Sequence, residues 1–273
     1  MKVFISVDIE GCAGVFDSHM LSPEGHDYAE GRALMVGECN AAVQGALDAG
    51  ATEVFVNDSH NRMINLLPSA VHPEARLILG SVKPMSMCQG LDSSFDAAMY
   101  IGYHARQGTA QAFLCHTYHS RVFYNIAVNG EDWGESSLNA AMAGWFGVPV
   151  VFVSGDDACA AEISRLLPGT HTLSVKRGQG SRTGDSLHPE KARALIRQGA
   201  AKALEQRAGI RPFRPVPPYH LVADLVNERM ADLCTRIPQV DRTGARRLEF
   251  ISDNYQEMYR AMLCMLTVGG SVL

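Results

Sequence analysis

The feature that most constrains this chain is an alternation. Short runs of β-branched and aromatic residues at 3–7, 54–56, 77–79, 99–102, 112–115 and 148–153 are separated by longer stretches with helical spacing. In residues 28–49, for example, Leu34, Cys39, Ala42, Val43, Ala46 and Leu47 lie on one side of a 3.6-residue period. Strands separated by helices return to a sheet in the same direction, so the pattern predicts an α/β fold with a mostly parallel sheet flanked by helices. One segment departs from it. Residues 121–129 alternate through Val122, Tyr124, Ile126 and Val128 and end at Asn129-Gly130, a hairpin turn pair, which predicts a β-hairpin arm projecting from the sheet.

Past Asp156-Asp157, which reads as a cap after a strand, come a helix at 158–167, a strand at 171–175 and a long helix at 189–208. Pro212, Pro215, Pro217 and Pro218 then stiffen a connection into strands at 219–225 and 246–251 and a last helix at 254–268. The expected organisation is a larger α/β domain over 1–155 and a smaller C-terminal α/β domain over 156–273.

Composition narrows the classes of partner. With 24 Lys and Arg against 29 Asp and Glu, the net charge of −5 offers no basic field to nucleic acid or to an anionic membrane. The longest uncharged stretch, 136–155, is broken by glycines, Asn139 and Pro149, too interrupted for a membrane span. Asp8 and Glu10 interrupt the first apolar run before it resembles a secretory leader, and seven cysteines stand singly with no C-x-x-C pair. A cytoplasmic protein with reduced thiols is expected.

In parallel α/β sheets, ligands bind outside the carboxyl ends of the strands. Polar residues crowd there. Asp8 and Glu10, two apart in an extended chain, point the same way. His60 follows one strand, His104 another, and Glu135 opens a helix at 136–146. Three carboxylates and two imidazoles form a mixed oxygen and nitrogen set suited to two zinc-like ions sharing a bridging carboxylate. Each residue also has a plain structural role open to it: Asp8 a cap, Glu135 a first-turn acid, either histidine a loop residue. In Cys115-His116, neighbours on a strand face opposite sides, so Cys115 reads as buried filler while His116 faces the crevice, able to move a proton or steady an oxyanion. His119 reads as exposed at the hairpin base. The glycine-rich stretch 176–184 lacks the lysine-serine of a phosphate loop and reads as a flexible loop, from which Lys176 or Arg182 could reach a substrate carboxylate.

Taken together, Ser6-Val7-Asp8-Ile9-Glu10-Gly11, Val56-Asn57-Asp58-Ser59-His60, Val82-Lys83-Pro84, Gly102-Tyr103-His104-Ala105, Cys115-His116, Gly134-Glu135 and Ser154-Gly155-Asp156-Asp157 resemble the ordered blocks of the D-aminopeptidase family, the M55 metallopeptidases. The resemblance covers nearly the whole chain and is strongest over 1–160. It implies that Asp8, Glu10, His60, His104 and Glu135 bind two Zn2+ per subunit and that His116 is catalytic. It further implies a larger metal-bearing α/β domain with a smaller C-terminal one, hydrolysis of short peptides with an N-terminal D-residue such as D-alanyl di- and tripeptides, and a ring-shaped homo-oligomer, a decamer. Cys12 and the stretches 16–27 and 178–184 depart from the family pattern. The open alternatives are a dinuclear hydrolase of another amide, an L-peptide or a phosphoester, and a catalytically silent metal-binding ring.

Overall fold

A computed structural model describes all 273 residues. In chain order the first half comprises β1 (Lys2–Val7), α1 (Tyr28–Asp48), β2 (Glu53–Asp58), β3 (Ala75–Ile78), β4 (Ala97–Tyr103), β5 (Phe123–Val128), β6 (Glu131–Asp132) and α2 (Glu135–Trp145). The second half comprises β7 (Val150–Asp156), α3 (Asp157–Leu166), β8 (His171–Gly180), β9 (Thr183–Ser186), α4 (Pro189–Glu205), β10 (Tyr219–Leu225), α5 (Glu228–Cys234), β11 (Asp241–Arg242), β12 (Arg247–Ser252) and α6 (Tyr255–Gly270).

The central sheet has seven strands in the order β3-β2-β1-β4-β7-β8-β9, parallel except for the β8–β9 hairpin. Alternation along β1 explains why helices cover both faces. Val3, Ile5 and Val7 point to one side, where they meet Met35, Cys39 and Val43 of α1 and Ile196 and Ala200 of α4. Phe4 points to the other, among Tyr100, Ala140 of α2 and Cys159 and Ile163 of α3. Each fully buried aliphatic or aromatic side chain contributes about 1.5–3 kcal/mol relative to exposure, and the sheet interior is built of little else. No helix is long and apolar enough to cross a membrane.

Because the chain winds from β1 outward to β2 and β3, then crosses to β4 on the opposite side of β1, the switch point of the sheet lies between β1 and β4. Register there is tight. Val7 pairs with Asp58 of β2 and Ile101 of β4, so β1 and β2 end level with one another and β4 runs two residues further. Beyond the end of β1, the Asp8 N–H donates to the Ile101 carbonyl and the Gly11 N–H to the Gly102 carbonyl, both at 2.8 Å. A Cβ at position 11 would lie 1.8 Å from the Tyr103 carbonyl oxygen, so only glycine lets the turn after Glu10 close against β4.

A second, antiparallel sheet has the order β11-β12-β10-β5-β6. Along β10, Tyr219, Leu221, Ala223 and Leu225 are buried while the residues between them are less so, the pattern of a sheet covered on one face. That face packs on Met258, Tyr259, Met262 and Met265 of α6 and on Met230 and Cys234 of α5.

Three sequence expectations are revised. The hairpin at Asn129-Gly130 forms, but β5 does not project freely; it pairs with β10, placing Ile126 opposite Ala223 and Val128 opposite Leu221. Residues 112–115 make no strand, because Gln111 and Leu114 take positive φ values of 55° and 44° that break an extended run. The two sheets also do not part at residue 155: β8, β9 and α4 lie with the central sheet, whereas β5 and β6 lie with the second. The chain leaves the central sheet after β4 and returns through α2 into β7.

One buried group makes stability depend on pH. Glu38 of α1 accepts the Ala13 N–H at 2.7 Å through Oε1, while its Oε2 is buried without a partner. Burial pushes its carboxyl up to about 7. The native state therefore holds this proton more tightly than the unfolded chain, and the stability present below the ordinary glutamate range is lost as pH rises toward 7, by at most about 3 kcal/mol. Glu38→Gln keeps the acceptor and removes the charge. Its urea midpoint should vary less than that of the wild type between pH 5 and pH 7.5, and parallel profiles would exclude a protonated Glu38.

Candidate metal centre

These strand ends deliver the side chains that the sequence singled out. Asp8 and Glu10 follow β1, His60 follows β2, His104 follows β4, and Glu135 is the first residue of α2. All five are nearly inaccessible, between 1% and 7% exposed. His60 Nδ1 lies 3.2 Å from Asp8 Oδ1 and 3.0 Å from Glu10 Oε2. His104 Nε2 lies 3.6 Å from Asp8 Oδ2 and 3.7 Å from Glu135 Oε2. His116 joins them: its Nε2 is 3.6 Å from Glu135 Oε1 and 3.9 Å from Glu10 Oε1, and its ring stacks on His104 at 4.2 Å.

The donor atoms fall into two groups, Asp8, Glu10 and His60 in one and His104, His116 and Glu135 in the other, each within 4.8 Å of its fellows. Asp8 belongs to both neighbourhoods, with Oδ1 toward His60 and Oδ2 toward His104. Such a carboxylate could serve a cation in either group.

The other nitrogen of each imidazole determines its tautomer. His60 Nε2 faces the Leu21 carbonyl at 2.7 Å, His104 Nδ1 the Ala105 carbonyl at 2.9 Å, and His116 Nδ1 the Leu114 carbonyl at 2.9 Å. A carbonyl only accepts, so these nitrogens carry the proton and their partners turn a lone pair toward the carboxylates. Lone pairs facing carboxylate oxygens repel unless a proton or a metal cation lies between them. Consistent with this, His104 Nε2 and Glu10 Oε2 are buried without a hydrogen-bond partner. Burial and the Glu10 charge push the Glu135 carboxyl up to about 8, while burial and the adjacent His116 push His104 down to about 3. A divalent cation relieves the first and suits the second, since a histidine ligand must be neutral. The residues fit zinc on the chemistry of the donor set: oxygen and imidazole nitrogen, closely grouped and oriented from behind by main-chain acceptors.

Several supporting groups carry no signal in the sequence. Glu135 Oε1 accepts the Tyr118 N–H at 2.5 Å, tying α2 to the loop that bears His116. Below the carboxylates lies a polar layer in which Ser6 Oγ meets Ser59 Oγ at 2.6 Å and Tyr103 OH at 2.7 Å. Lys176 does not reach the crevice. It is 2% exposed, its ammonium donates to the main-chain carbonyls of Glu10 and Val15, and it lies 4.7 Å from the Phe113 ring centre, cinching the turn that holds Glu10. The stretch after it forms the β8–β9 hairpin rather than a flexible loop. Cys115 lies in a turn, half-buried, and lines the cavity together with His116, because the strand expected to set them on opposite faces is absent. Asp156 does cap α3, accepting the Cys159 N–H at 2.6 Å.

The cluster opens into a cavity of about 810 Å³. Leu21, Met63 and Met87 line it near the strand ends, and Leu266, Thr267 and Leu273 contribute from α6 and the C-terminus. A buried carboxylate–imidazole cluster at the switch point of a parallel sheet, under a cavity of this size, has the character of a metalloenzyme site on an α/β fold.

The family is narrower than that class. Residues 1–264 match the Peptidase_M55 family model, described as D-aminopeptidase, and the chain belongs to that family. A D-aminopeptidase of Bacillus subtilis (strain 168) is 37% identical over 268 residues, spanning 97% of this chain and 96% of the relative. The fold superposes with a TM-score of 0.95 and 35% identity on a structure described as Zn-dependent D-aminopeptidase DppA from Bacillus subtilis, a self-compartmentalizing protease, covering 99% of this chain and 98% of that one. The protein is an aminopeptidase, a peptide hydrolase.

Proposed function

We propose that the protein is a dizinc aminopeptidase that removes an N-terminal D-residue from short peptides, with D-alanyl di- and tripeptides as substrates. Asp8, Glu10, His60, His104 and Glu135 would hold the two ions, Asp8 between them. The observation that carries this reading is the orientation of the three imidazoles, each tied by one nitrogen to a main-chain carbonyl and presenting the other to buried carboxylates. When bound, two zinc ions supply Lewis acidity toward the scissile carbonyl and lower the cost of deprotonating water.

The chain's own residues do the rest. Asp8, Glu10 and Glu135 concentrate the negative charge that would hold the two ions. His116 is the most accessible of the three histidines, 19% exposed, with its Nδ1 proton engaged by Leu114, so Nε2 is left to take a proton or to donate one to a developing oxyanion. The buried surround excludes bulk water, which strengthens each of these interactions. A phosphoesterase would need several basic groups around the metals, and a single arginine lines the cavity. Seven unpaired cysteines accord with a reducing compartment, the cytoplasm. The likeness to a self-compartmentalizing protease supports an enclosed assembly; a ring, a decamer by the family resemblance, would have an interior that admits only short peptides.

The test is a matched pair of assays with added zinc on D-alanyl and L-alanyl dipeptides, run on a sample whose mass is read by light scattering. Faster cleavage of the D-peptide by an assembly many times 29.6 kDa is expected. Preference for the L-peptide would overturn the stereochemical assignment, and a monomer the ring.

A further inference from the structure

Arg182 stands at the tip of the two-residue turn, Ser181-Arg182, that joins β8 to β9. Its backbone is held from three directions. The Leu114 N–H donates to the Ser181 carbonyl at 3.0 Å. Gly178 passes so close to the loop before His116 that a Cβ there would sit 1.7 Å from the Gln111 carbonyl oxygen. Across the hairpin, the Arg177 guanidinium meets Asp185 at 2.8 Å. The turn is thus clamped to the loop that also carries His116.

The side chain itself is uncommitted. Arg182 lines the cavity and is the sole lysine or arginine to do so, yet it forms none of the ion pairs within 4.0 Å and none of the hydrogen bonds in the protein. The nearby carboxylate of Asp17, which feels its charge, already accepts the His19 N–H at 2.9 Å and caps its own turn. A planar guanidinium is built for bidentate pairing with a carboxylate. The same cavity has three carboxylates, Asp8, Glu10 and Glu135, at the opposite extreme of its chemistry. With those carboxylates committed to metal, a short peptide whose amine end lies at that cluster leaves an anionic carboxylate that no other lysine or arginine of the cavity can meet.

We propose that Arg182 receives the C-terminal carboxylate of the substrate, which makes short peptides with a free C-terminus the preferred class. This rests on the aminopeptidase reading above and adds the second anchor point of the substrate. The charged contact forms in the ground state as well as in the transition state, so its loss falls mainly on KM. No bond is made or broken at Arg182; it positions.

The experiment compares D-alanyl-D-alanine with its C-terminal amide on the zinc-loaded protein and on Arg182→Gln and Arg182→Lys. The wild type should favour the free acid by about 10-fold to 100-fold in kcat/KM, the range of a charge-assisted pair. Arg182→Gln should bring that acid-to-amide ratio close to one through a higher KM for the acid, and Arg182→Lys should restore part of it. A wild type that cleaves acid and amide equally would overturn the assignment, as would an Arg182→Gln protein that keeps the full ratio. Absence of cleavage of either compound would instead overturn the D-aminopeptidase reading and the substrate assignment with it, an outcome distinct from equal cleavage.

Discussion

Glu10→Gln should release metal and abolish turnover together. Glu10 places one carboxylate oxygen 3.0 Å from His60 and the other 3.9 Å from His116, so both donor groups lean on its charge. His60 shows how strongly that charge acts: despite burial, the Glu10 and Asp8 carboxylates hold its pKa well above the usual histidine range, so they favour a positive charge at its Nδ1, which a proton supplies until a metal ion replaces it. An amide in place of that carboxylate removes one negative charge and leaves one oxygen as a ligand. Elemental analysis after dialysis should give about two zinc per chain for the wild type and one or none for Glu10→Gln, with turnover reduced by ~10³ or more, the several kcal/mol that metal ions supply in hydrolysis. The fold should survive, because Lys176 grips the main-chain carbonyl of residue 10 and not its side chain. Two zinc ions and near-normal turnover in a folded Glu10→Gln protein would remove Glu10 from the ligand set.

His116→Ala should behave differently. Its imidazole occupies a turn rather than a strand end and is more accessible than His60 or His104. Turnover is expected to fall by roughly 10² or more, the usual contribution of a general acid or base, while two metals stay bound. Geometry makes this a sharp test, since His116 also lies within ligand distance of His104 and Glu135. Loss of one metal along with activity would make it a ligand. Full activity would return it to a loop residue.

How legible the site was depends on which atoms do the work. Asp8, Glu10, His60 and His104 could be read because a parallel strand ends in a predictable place and alternation sets direction, and Glu135 because it opens a helix. What orients them could not. The carbonyls of Leu21, Ala105 and Leu114 belong to the main chain, which has no letter in the sequence, and two of the three lie outside any strand or helix pattern. Lys176 looked like a residue at a loop mouth; only β8 running on to Gly180 places it beneath Glu10. Residues 112–115 looked like a strand because their apolar content says nothing of φ, and positive φ at Gln111 and Leu114 is a tertiary outcome in residues that rarely choose it. The parallel sheet was readable from its alternation; the antiparallel one was not, because its strands are drawn from 123–132 and 219–252 and must find each other across a long stretch of chain.

The excursion into that second sheet starts and finishes at the carboxylate–imidazole cluster. His116 stands where the chain departs and Glu135 where it comes back, and the Tyr118 N–H bound to Glu135 closes the loop at its neck. The excursion is consequently no exchangeable module. A recombination event that swapped it would carry off two of the six polar groups at the centre, and a truncation that deleted the C-terminal strands would strip β5 of its partner and unmoor both ends of that neck. Its two sheets are therefore obliged to evolve as one inheritance.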